Sequence, residues 1–200
     1  MRLVFVRESD LDLMGGVVTS PIFSDLRPMS EDEFLALGET SERIELFDGS
    51  LHVTPAPTPR HQYIAGELKV IFRAAGRARG LYALEGINLR LRPNQMTIPD
   101  LAITSAIDFD QITVPSSAVR LVCEILSPSN QASDKVLKMH YYAAAGIPWY
   151  LLVDPKAETL SLYELAGETY ALHSITEVGE VLRLTDPVAV DLEPSALMPD

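Results

Sequence analysis

The chain has 200 residues, with 16 Lys and Arg against 28 Asp and Glu, a formal net charge of −12 with His neutral. Such a balance excludes a protein that holds nucleic acid or anionic lipid through its whole surface, so any phosphate contact must be local. Hydrophobic residues at 47% and charged residues at 22% supply a core and exclude general disorder, and the length sets one domain as the default.

The first 28 residues carry scattered acids, Gly15-Gly16 and a mixed stretch to Pro28, and read as an arm. Ser30 followed by Glu33 has capping-box spacing, which predicts a short helix to about Leu37, ended by Gly38. Asp48-Gly49 between the apolar-rich runs 43–47 and 51–53 predicts a β-hairpin. Pro55, Pro57 and Pro59 interrupt regular pairing, and Ile64, Leu68, Ile71, Phe72 and Ala75 then recur at helical spacing, predicting a long helix over 60–79. Strands are expected over 81–91, 98–104 and 119–126, the last apolar enough to be covered on both faces. Ser127-Pro128-Ser129-Asn130 breaks the run. A helix follows, capped near Ser133 and stopped by Gly146, then a buried strand over 149–153, a meander over 159–165 and 170–175, and a final strand over 181–184. From Glu177 the chain is rich in Asp, Glu and Pro and is expected at the periphery. This order predicts an α/β (α+β) fold with a mixed central sheet.

Cys123, in the apolar run Leu121-Val122-Cys123, excludes an internal disulfide and a cysteine metal cage and reads as a buried thiol of a reducing compartment. No signal-peptide core follows Met1, and no apolar run approaches the roughly 18 residues of a membrane span, so a cytoplasmic location without a membrane partner is expected.

The sequence lacks a phosphate-binding G-x-x-x-x-G-K-[ST] loop, a G-x-G-x-x-G turn, an H-E-x-x-H helix and a G-x-S-x-G elbow, and its four histidines are scattered. Two acids stand out. Asp100 and Glu124 each interrupt an apolar strand, where an ionised carboxylate is costly unless paired or bound to a cation. If the strands are neighbours, the two could share Mg²⁺ or Mn²⁺, which favour hard oxygen ligands. The alternative is a strand-end cap or an ion pair with an arginine such as Arg120. Asp134, Lys138 and Tyr142, at i, i+4 and i+8, share one helical stripe that reads either as a solvated ion pair with a neighbouring tyrosine or as part of a site. Glu45 offers a further carboxylate or a partner for Arg43. His61 fits a phosphate or metal contact, or a cap or core hydrogen bond. Lys69, Arg73 and Arg77 form a basic stripe on the long helix, either a solvated face or a nucleic-acid contact.

Pro99-Asp100 followed one strand later by Glu124-Ile125-Leu126 resembles the PD-(D/E)xK motif of restriction-endonuclease-like proteins. Arg43-Ile44-Glu45-Leu46-Phe47-Asp48-Gly49, Pro57-Thr58-Pro59-Arg60-His61-Gln62, Glu124 to Ser129, Asp134 with Lys138 and Tyr142, Ala145-Gly146-Ile147-Pro148 and Leu152-Val153-Asp154-Pro155 more specifically resemble the Uma-two family. The resemblance implies a restriction-endonuclease-like mixed sheet flanked by helices, with an N-terminal hairpin and a C-terminal β extension. It divides the chain into an arm (1–28), one nuclease-like domain (29–176) and an acidic extension (177–200). It further implies a Mg²⁺-dependent endonuclease, with Mn²⁺ as substitute, acting on DNA ahead of RNA. Asp100, Glu124 and the backbone carbonyl of Ile125 would hold the metal. A homodimer is compatible with it, although no residue pattern marks an interface. The motif's lysine position holds Leu126, and Lys138 on the following helix is the replacement the family pattern offers. A non-catalytic nuclease-like module is the competing expectation.

Overall fold

The computed structural model describes residues 27–38, 40, 42–127 and 132–199, without the side chains of 132–135. Residues 1–26, the bulk of the expected arm, lie outside the described residues. The capping box forms as expected: Ser30 accepts from the Glu33 backbone N–H while the Glu33 carboxylate reaches back, starting α1 (Glu31–Leu35). Strands β1 (Arg43–Phe47) and β2 (Ser50–Thr54) form the hairpin. Asp48 and Gly49 have φ of 51° and 84°, the double positive of a type I′ turn.

Helix α2 (Pro59–Gly76) starts on a Thr58 cap and buries Ile64, Leu68 and Phe72. The expected strand over 81–91 is instead two, β3 (Tyr82–Leu84) and β4 (Asn88–Arg92). Gly86, at φ 60°, turns the chain between them, and they enter different sheets. Next come β5 (Gln95–Thr97), β6 (Leu101–Thr104), β7 (Thr113–Pro115), β8 (Val119–Ile125), α3 (Ala132–Ala144) and β9 (Trp149–Asp154). The expected helix cap at Ser133 lies outside the described side chains. The chain continues through β10 (Thr159–Ala166), β11 (Thr169–Thr176), β12 (Leu182–Leu184) and β13 (Val190–Leu192).

Six strands form the central sheet in the order β11-β10-β9-β8-β6-β3, mixed because β8 and β9 run parallel across the α3 crossover. The expected mixed central sheet is present, and the expected N-terminal hairpin extends into a second sheet, β2-β1-β5-β4-β7. Alternation along β8 sends Leu121, Cys123 and Ile125 into a core with α2, and Val122 into a second core with β4, β7 and α3. Glu124 shares the parity of Val122 and therefore faces α3. The acidic tail is not peripheral: Leu182, Leu184, Val188, Val190, Leu192 and Leu197 are buried in the α2 core, because its charges alternate with apolar side chains. Among the described residues no helix is long and apolar enough to cross a membrane.

Candidate active site

The central sheet, the second sheet, α3 and, through His61, α2 meet at the site. Asp100 lies just ahead of β6 and Glu124 near the end of β8, and these strands pair directly, Leu101 opposite Cys123. Strand β1 of the second sheet brings Arg43 and Glu45, which share a side at two-residue spacing. Helix α3 brings Lys138 and Tyr142, one turn apart.

Asp100 is buried, and both its oxygens have donors from the chain. Arg43 Nη1 lies 2.9 Å from Oδ1, while Oδ2 accepts from the Ile125 backbone N–H at 2.8 Å and sits 3.0 Å from His61 Nε2. Burial alone would raise its pKa, but the His61 bond, the Arg43 charge and the Ile125 N–H together bring it down to about 2. The second Arg43 nitrogen donates to the Ile98 carbonyl, fixing the turn before Asp100.

Glu124 has the opposite electrostatics. Its Oε1 accepts from the Tyr142 hydroxyl at 2.6 Å and lies 3.5 Å from Lys138 Nζ. Burial, reinforced by the nearby charges of Asp100 and Glu45, pushes its pKa up to about 8 against the pull of Lys138 and Arg43. Two adjacent carboxylates are thus driven apart in acidity, Asp100 downward and Glu124 upward. Lys138, itself buried, is held charged by Glu124 and Glu45 despite its desolvation. Tyr142 accepts from Thr97 at 3.2 Å, completing a chain of hydroxyls to Glu124.

Asp100, Glu124, Arg43, His61, Lys138, Thr58 and Ser127 line one cavity of about 30 Å³. Among the described residues no three His, Cys, Asp or Glu side chains are arranged to hold a cation by themselves. Two carboxylates opening on one cavity still supply hard oxygens of the kind Mg²⁺ completes with water.

The expected residues divide clearly. Asp100, Glu124, Lys138, Tyr142, Glu45 and His61 converge; the Ile125 backbone joins them through its N–H. Asp134 falls in the first turn of α3, outside the described side chains. Lys69 pairs with Glu85. Arg73 and Arg77 are exposed farther along α2, because i,i+4 steps drift around a helix and leave the buried His61 end behind. Arg43 and Thr97 were missed as site residues. Arg43's one signal was its shared side with Glu45; Thr97 had none.

The family model described as "Putative restriction endonuclease", Uma2, matches residues 31–197. The chain belongs to the Uma2 family. A solved structure of a putative nuclease belonging to DUF820 from Anabaena variabilis is similar at a TM-score of 0.72 and 19% identity, covering 85% of this chain and 97% of that one. That likeness establishes a shared fold. No curated protein matches the sequence. The Uma2 match spans every element that contributes to the site, from β1 through α3.

Proposed function

We propose that this Uma2 protein is a divalent-cation-dependent phosphodiesterase that cuts DNA in preference to RNA. Asp100, Glu124 and the Ile125 carbonyl would hold Mg²⁺, or Mn²⁺ in its place. The observation that carries the reading is the lysine: position 126 is Leu, yet Lys138 approaches within 3.5 Å of Glu124 from α3.

A bound Mg²⁺ would polarise the scissile phosphate and lower the pKa of an attacking water. The protein's own groups divide the remaining work. Arg43 and His61 keep Asp100 ionised and oriented. Tyr142 and Lys138 fix Glu124. The ammonium of Lys138, poorly screened in this buried setting, would stabilise negative charge developing on the phosphate oxygens. Arg73 and Arg77 would meet flanking phosphates.

A second reading, a non-catalytic nuclease-like module, is favoured by one observation: both Asp100 oxygens and one Glu124 oxygen already have donors from the chain. Titrating Mn²⁺ into wild type and Asp100→Ala during thermal unfolding separates the two. A cation bound only by the native state adds about 2.7 kcal/mol at 100 times its Kd. Stabilisation of wild type alone, followed by Mg²⁺- or Mn²⁺-dependent DNA cutting that Asp100→Ala abolishes, is the expected result. Equal cutting by the variant would refute the site. Absence of both cutting and stabilisation would favour the second reading.

A further inference from the structure

A lysine borne on α3 has a longer and looser route to the site than one carried on β8 two residues after Glu124. Its flexible four-carbon stem does not by itself choose a direction. Glu45 supplies the direction. Its carboxylate is almost fully buried, and one oxygen, Oε1, lies 3.0 Å from Lys138 Nζ and accepts the Ile98 backbone N–H at 2.8 Å. That single oxygen therefore links helix α3 to the turn that carries Asp100.

We infer that Glu45 is the positioning residue for Lys138, tethering the displaced lysine over Glu124, and does not itself ligate the cation. The inference rests on the proposed phosphodiesterase reading for its catalytic consequence, but not for its geometry. Glu45 Oε1 is committed to Lys138 and Ile98, and Glu45 is not among the residues that line the cavity shared by Asp100 and Glu124. The second sheet thus adds, through Glu45, a closer carboxylate contact for Lys138 than Glu124 of the central sheet provides.

The test uses Glu45→Ala and Glu45→Gln in the full chain. The glutamine keeps an oxygen acceptor for both partners, so it also covers the case in which the alanine variant fails to fold. Three quantities are read: acetylation of Lys138 by acetic anhydride, followed by mass spectrometry; Mn²⁺ affinity by electron paramagnetic resonance; and Mn²⁺-dependent cleavage of plasmid DNA. Glu45→Ala should raise Lys138 labelling at least tenfold, leave the Mn²⁺ Kd within threefold and slow cleavage at least tenfold at saturating metal. Glu45→Gln should recover most of both the protection and the rate. A tenfold loss of Mn²⁺ affinity with unchanged Lys138 labelling would overturn the inference and make Glu45 a ligand. If wild type cuts nothing, the phosphodiesterase reading fails, while the labelling of Lys138 in the two variants still decides the tether.

Discussion

Replacing Lys138 by methionine removes a buried charge while keeping an unbranched side chain of similar length. Lys138 is 5% exposed and its two partners, Glu45 and Glu124, are 1% and 5% exposed, so neither carboxylate can turn to water for compensation. Breaking a buried ion pair by deleting one partner costs about 3–5 kcal/mol. Here the lower end applies. Burial pushes the Glu124 pKa up, so that group can take up a proton once the lysine is gone, which softens the loss. A loss of about 3 kcal/mol in a domain of this size corresponds to a Tm roughly 6–12 °C lower. Circular dichroism melts at pH 7 in chelator-treated buffer would measure it. Adding Glu45→Gln to Lys138→Met removes the stranded charge and should return about half of the loss. A Tm change under about 2 °C for Lys138→Met, or no recovery in the double variant, would refute the claim that this lysine balances buried carboxylates.

The pH dependence of stability has a definite sign at Glu124. Its folded pKa lies above the ordinary carboxylate value, so between about pH 4.5 and 8 the folded state binds more protons than the unfolded one, and stability falls as pH rises through that window. Glu124→Gln should flatten this fall in melts taken across pH 5–8; a parallel fall in the variant would assign it elsewhere. Leu126 shares Glu124's side of its strand, so Leu126→Lys should restore DNA cutting to Lys138→Met, whereas no restoration would show that the helical approach is essential. Gly49 has φ of 84° and a Cβ there would run into Pro28, so Gly49→Ala should cost at least about 2 kcal/mol in urea unfolding. An unchanged midpoint would mean that the turn relaxes.

Much of the site was legible because its acids violate the hydrophobic pattern. Asp100 and Glu124 interrupt strands whose neighbours are apolar, and one-turn spacing put Lys138 and Tyr142 on the same stripe. Arg43 was harder to see. A cation on a hairpin strand has the pattern of a solvated residue, and only docking of the second sheet buries it against Asp100. The Ile125 and Ile98 N–H groups escape side-chain patterns altogether, since a backbone donor is set by where the strand ends. The elements failed similarly at two places: apolar residues continue across Gly86, hiding the boundary between β3 and β4, and the acids of the tail masked the core positions between them.

The link from Glu45 to Lys138 joins an early hairpin to a late crossover helix, with Asp100 and Glu124 contributed in between. Such non-local closure makes assembly of the candidate site a slow step relative to the local hairpin and helices. A ribosome-bound chain that had emerged only through β8 would carry Glu45, Asp100, Glu124 and Arg43 but not Lys138, so it could not hold the full set of charges. The candidate site's charges would thus come together only with the native topology.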